Sequence, residues 1–245
     1  MVCAQMSLHL HLDSDNVTLC HLTKPKLTSA TLSGCVCNFL QPICLDYVPC
    51  LKHLVINNSN LSDISFIVHF PYLETLDLSN NDISLIDWTV FANHKFLRTL
   101  QVSHNKINVL LNKCDLSLLS IDLSHNYLQS VGSLSSFSRL KHVDLSFNYL
   151  FSFPSFPSHL PRLLTLNLSN NPLSHACDTS LAVISNCKYL LSLDLAHTHL
   201  KHSLSNAILF LPTLLEFNGK SLSEKEKLHL LSFLKSEDPY FSQFV

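Results

Sequence analysis

The chain has 245 residues, 47% of them hydrophobic and 14% charged, and it contains 51 Leu and 34 Ser. That apolar content excludes a disordered tail, while no apolar run approaches the roughly eighteen residues of a membrane-spanning helix. The 16 basic and 18 acidic residues give a formal charge of −2, so no basic footprint for bulk nucleic acid or an anionic membrane exists.

Three glycines leave no GxGxxG, GxxxxGK or GxSxG, which removes phosphate-cradling loops and the nucleophile elbow. Residues 1–19 alternate Leu with His and Asp and lack a continuous apolar stretch, so they do not read as a signal peptide. Six of the nine cysteines (Cys3, Cys20, Cys35, Cys37, Cys44 and Cys50) fall in the first fifty positions. Without a signal they read as reduced, buried structural thiols, and the spacing lacks the paired CxxC knuckles of a zinc site. On that reading the glycosylation sequons at Asn16, Asn57, Asn60 and Asn167 carry no weight.

A fixed period organises the rest. LETLDLSNNDI at Leu73, LRTLQVSHNKI at Leu97, LLSIDLSHNYL at Leu118, LKHVDLSFNYL at Leu140 and LLTLNLSNNPL at Leu163 share the template LxxLxLxxNxL. Degraded copies begin at positions 7, 27, 51 and 190, and a truncated one begins at Leu214. Gaps between starts run from 20 to 27 residues with a mean of 23. Alternation in LxL predicts a short strand with its leucines turned inward, and stacked parallel strands satisfy one another's backbone. Asn81, Asn105, Asn126, Asn148 and Asn171 are expected to form a structural ladder, each amide bonding backbone where the chain leaves the strand.

Between strands, the short gaps leave room only for extended chain or a 3-10 turn. FPSFPSHLPRL at 153–163 must be irregular because of its prolines. A true helix is expected after Asp178 within the 27-residue gap, and another in SLSNAILFLPTL at 203–214. Near the end, Ser223 and Glu226 form a capping box for a final helix whose Leu228, Leu231 and Leu234 should seal the array.

The template resembles the leucine-rich repeat, whose period is 20 to 29 residues. That resemblance implies an α/β solenoid, a horseshoe with a parallel concave sheet, a mixed irregular, 3-10 and helical convex side, and a C-terminal helical cap. Residues 1–245 read as one domain, with the cap over 214–245. FLPTLLEFNGKSLSEKEKLHLLSFLK resembles the cap of intracellular members such as the spliceosomal A-prime protein, the axonemal dynein light chain and the phosphatase-one regulator. LSDISFIVHFPYLETLDLSNNDI and CVCNFLQPIC instead resemble Toll-like receptor ectodomains.

The resemblance also implies a concave binding face. Its middle column contains Asp77, Gln101, Asp122, Asp144 and Asp194, and its eighth column His104, His125 and Phe147. Four aspartates suit a protein partner with a basic segment, Phe147 offers an apolar anchor, and the neighbouring Asp122 and Asp144 should repel slightly. Two other readings compete for the same residues: a zinc site from His104, His125 and Asp122, and aspartates that merely support the turn. An open sheet encloses no nucleophile. The expectation is therefore a non-catalytic interaction scaffold without metal or cofactor, cytoplasmic, with nuclear or ciliary placement open. The competing reading is a receptor ectodomain fragment.

Overall fold

In a computed structural model, every LxLxx segment that is described forms a strand. The structure describes residues 6–11, 27–33, 50–154, 160–174, 184, 187–200, 211 and 213–237. The chain divides into two compact units, Met1–Leu128 and Gln129–Val245.

The first unit contains β1 (Met6–His11), β2 (Leu27–Ser33), β3 (His53–Asn57), β4 (Thr75–Asp77), β5 (Leu85–Asp87), β6 (Thr99–Gln101), β7 (Val109–Leu111) and β8 (Ser120–Asp122). Strands β1, β2, β3, β4, β6 and β8 pair in that order, all parallel. Register keeps equivalent leucines side by side: Leu54 faces Leu76, Leu76 faces Leu100, and Leu100 faces Ile121. All four are at most 1% exposed. Each inward residue thus packs on its counterpart one repeat away, which is how a repeat too small to hold its own core acquires one. On the opposite side β5 pairs in parallel with β7, and 3-10 turns occupy Ser65–His69 and Trp88–Phe91.

The second unit contains a 3-10 turn at Gly132–Ser136, then β9 (His142–Asp144), β10 (Thr165–Asn167), β11 (Ser192–Asp194), β12 (Glu216–Phe217), β13 (Lys220–Ser221) and α1 (Glu224–Glu237). Strands β9 to β12 are parallel neighbours. β13 reverses onto β12 through Asn218 and Gly219, whose φ values of 50° and 73° are the pair that a type I′ hairpin requires. From Leu51 onward every parallel strand of the main sheets begins two residues after a repeat start in the sequence, and the fold class is that of a parallel leucine-rich solenoid.

At α1 the capping box is present: Ser223 N donates to Glu226 Oε2 at 2.8 Å, and Glu226 N donates to Ser223 Oγ at 3.3 Å. Ser223 Oγ, which donates to Glu226 Oε2 at 2.6 Å, and then Ser223 N hold the Glu226 carboxyl below its ordinary range. The expected seal is corrected at one position. Leu228 is 65% exposed, while Lys227 is buried with its Nζ 2.8 Å from Glu224 Oε1. The helix turns this leucine to solvent and packs the lysine stem instead. Side chains of Leu231 and Leu234 lie outside the described residues, as do most of the two expected convex helices and 155–159 of the proline-rich stretch.

One buried group gives the first unit a pH dependence. His94 is fully buried, with Nε2 3.0 Å from the Ile67 carbonyl, an edge contact to Phe91, and no hydrogen-bond partner at Nδ1 among the described residues. Burial lowers its pKa from the ordinary imidazole value, outweighing the two backbone bonds that raise it. Above about pH 6.5 neither folded nor unfolded chain protonates this ring; below it the unfolded chain binds a proton that the folded chain refuses. Stability therefore falls with pH through that window and levels off only below the folded value. His94→Gln, which keeps a donor for Ile67, should flatten the decline in urea midpoint between about pH 7 and 5. An unchanged slope would assign the decline to other histidines.

Candidate interaction surface

Outward residues of the strands form rows fixed by the register. In the first unit the middle row reads Thr31, Val55, Asp77, Gln101, Asp122. In the second it reads Asp144, Asn167, Asp194. Within each unit an amide residue separates the acids, so at about 4.8 Å per strand no two of these carboxylates are neighbours. Asp122 and Asp144, expected as a repelling pair, belong to different units.

The structure gives these aspartates a local task. Asp77 Oδ1 accepts from Ser79 N at 2.9 Å and Oγ at 2.6 Å; Asp122 does the same with Ser124 at 2.9 and 2.7 Å, and Asp144 with Ser146 at 2.9 and 2.7 Å. Asp194 Oδ1 accepts from Ala196 N at 2.9 Å. Each closes an Asx-turn that bends the chain out of its strand. Asn167 performs the same service for Ser169 at 3.0 and 2.8 Å. The turn therefore needs the acceptor oxygen and not the charge.

Two positions after each turn serine lies the ladder residue. Asn81 Oδ1 accepts from Ser59 N and Leu61 N at 3.0 and 3.1 Å, while its Nδ2 donates to Ile56 O and Leu78 O at 2.7 and 2.9 Å. Asn105 Oδ1 accepts from Ile83 N, and Asn126 Oδ1 from Ile107 N. In the second unit Asn171 Oδ1 accepts from Leu150 N and Nδ2 donates to Leu145 O, and Asn148 Nδ2 donates to Leu145 O and Ser146 O. All five are at most 7% exposed. Asn218, at the place in the last repeat that Asp194 and Asn167 hold in theirs, instead accepts the strand-exit N–H of Leu195 on its Oδ1 at 2.7 Å.

Between turn and ladder stands the eighth column, and every member has left-handed backbone: Asn58, Asn80, His104 and His125 in the first unit, Phe147, Asn170 and His197 in the second, with φ between 51° and 57°. This constraint was not read from the sequence, although the recurrence of Asn and His at one position signals it. His104 and His125 stack, ring centroids 4.0 Å apart and planes 12° from parallel. In-plane lone pairs of parallel rings do not converge, so this arrangement does not chelate zinc between them. An exposed pair, Tyr72 against Phe96 at 5.9 Å, was likewise not singled out. Cys187 is buried and Cys114 partly so, and burial pushes both thiols up to about 11. Cys35 and Cys37 lie outside the described residues.

Comparison with known proteins agrees with this geometry. The leucine rich repeat family matches residues 71–114. Rabbit lumican is 33% identical over 159 residues, which cover 62% of this chain and 77% of lumican. The chain belongs to the leucine-rich repeat family. Chicken Tsukushi is 37% identical over 113 residues, covering 43% of this leucine-rich repeat chain but 30% of Tsukushi; the chain thus matches under a third of that relative's length. Among solved structures an internalin from Listeria monocytogenes has a TM-score of 0.64 at 22% identity, covering 87% of this chain and 61% of that one, which is a likeness of fold alone. Leucine-rich repeat proteins are in general non-enzymatic scaffolds for protein contacts. Lumican and Tsukushi are secreted, which weighs against the cytoplasmic expectation.

Proposed function

We propose that this leucine-rich repeat chain is a non-catalytic module that binds a protein partner on the outward faces of its strands, outside the cell. Phe147 carries the reading. Its left-handed backbone, φ 54°, sits where six other repeats place Asn or His, and such a conformation costs a bulky residue about 1 to 2 kcal/mol. At 46% exposed, the ring is only half repaid by burial. An exposed aromatic held in a strained conformation fits a contact residue better than a structural one. In the second unit Asp144 and Asp194 accompany Phe147 on the outward strand faces, and in the first unit Asp77 and Asp122, with Gln101, His104 and His125, offer acceptors and negative charge of their own, which favours a partner segment bearing Lys or Arg. The C-terminal segment's resemblance to intracellular caps rests on a hairpin and a capping box, local devices that end a sheet in any compartment. The secreted relatives match far more of the chain.

The test compares parent and Phe147→Asn as baits in extracellular fluid from the native source. Asn suits the left-handed position, so the variant should melt at the same temperature or higher while losing roughly tenfold in affinity for the captured partner. Equal retention by both baits would remove Phe147 from the interface and the reading with it.

A further inference from the structure

The sequons differ sharply in what the fold allows at them. Asn57, in Asn57-Asn58-Ser59, has an Oδ1 that is buried and without a hydrogen-bond partner, and its Ser59 is 1% exposed with Oγ donating to Asn57 O at 2.7 Å. Asn167, in Asn167-Leu168-Ser169, has both ends of its amide engaged: Nδ2 donates to Asp144 Oδ2 at 3.0 Å, and Oδ1 accepts from Ser169 N and Oγ. Ser169 is 5% exposed. A sugar on Asn167 Nδ2 would have to break the bond to Asp144, and one on Asn57 would have to be carried beside a buried amide oxygen and a buried Ser59. Asn16 lies outside the described residues.

Asn60, in Asn60-Leu61-Ser62, is the opposite case. Asn60 and Ser62 are both exposed, and neither side chain makes a hydrogen bond among the described residues. Only Leu61 between them points inward, at 2% exposed, with its N–H on Asn81 Oδ1. The backbone of Asn60 is left-handed at φ 48°. Its repeat position is the one held next door by Asp82 and then Lys106, which form an ion pair at 2.7 Å on the open flank. A bulky group there displaces no protein contact and leaves the outward row of strands uncovered.

We infer that Asn60 is an acceptor site for an N-linked glycan, an inference that rests on the extracellular placement proposed above. The transfer balances without redox chemistry. The sugar C1–oxygen bond of a lipid-diphosphate-linked oligosaccharide breaks, a bond from C1 to Asn60 Nδ2 forms, Nδ2 loses one proton to a base, and the lipid diphosphate leaves.

The full chain, directed into the secretory pathway of cultured cells by a cleavable leader, is collected from cells and medium. Deglycosylation by an amidase in heavy-oxygen water converts each glycosylated Asn to labelled Asp, read by peptide mass spectrometry. Label at Asn60 in the folded, secreted chain, with Asn57 and Asn167 unlabelled, is the expected result. Asn60→Gln should remove that glycan and leave the melting temperature unchanged. An unlabelled Asn60, or label on Asn57 or Asn167 instead, overturns the assignment. Locating the native protein in its own cells tests the extracellular placement separately, since a cytosolic native chain would sink that placement whatever Asn60 accepts in this experiment.

Discussion

Asn126→Asp should destabilise the first unit by about 3 to 5 kcal/mol, and Asp122→Asn, four positions away, should cost less than about 0.5 kcal/mol. On paper the two changes are equally mild. Asn126 Nδ2 lies 3.0 Å from each of the carbonyls of Val102, Leu123 and Ser124, while Oδ1 accepts from Ile107 N at 2.9 Å. An aspartate would set a carboxylate oxygen against three carbonyl oxygens at a position 3% exposed. Asn126→Ala leaves the same groups unpaired without adding charge and should cost about 1 to 3 kcal/mol. At Asp122 the turn asks only for an acceptor facing Ser124 N and Oγ, which Asn supplies, as Asn167 does in the second unit. Urea unfolding of the three variants measures the order. If Asn126→Asp costs no more than Asn126→Ala, the amide is not locked against those carbonyls.

The same contrast marks how much was legible in the sequence. Position nine announces itself because Asn recurs there, its amide donating and accepting at once, so the strands could be placed to within two residues. Position five did not, because Asp as a turn acceptor and Asp as a binding charge look identical in one sequence; the hydrogen bonds to Ser79, Ser124 and Ser146 separate them. Position eight was read only as a row of side chains; that its members also share a left-handed backbone is visible only once φ is known. The outward turn of Leu228 was missed for a related reason. Apolar spacing along a helix marks a face, but which face meets the sheet depends on the hairpin that delivers the chain. The compartment was read from residues 1–19 and the cysteines, and the secreted lumican and Tsukushi weigh against that reading.

Trp88→Ala should cost about 3 to 5 kcal/mol, a large share of the roughly 5 to 15 kcal/mol that holds a typical domain. Trp88 is fully buried on the side of the unit away from the main sheet, where the gap between repeats leaves room for a 3-10 turn but not for a helix. Its ring meets Phe91 at 5.9 Å, and Phe91 in turn meets His94 at 5.6 Å. Asp87 fixes the entry to this turn by accepting from Asn112 Nδ2 and from Thr89 N, both at 2.9 Å, and these bonds, that from Asn112 first, hold its carboxyl below the ordinary range. Truncation would therefore leave a cavity whose walls are pinned by hydrogen bonds, and a site that cannot collapse pays the full cavity cost. Trp88→Phe keeps most of the ring area and should lose less than half as much. Because this is the chain's single tryptophan, unfolding is followed by circular dichroism rather than fluorescence. In a solenoid each repeat is stabilised by its neighbours, so the loss should broaden the urea transition as well as lower its midpoint. A loss below about 1 kcal/mol would show that the walls close over the gap, and the convex side would then be the yielding part of the repeat.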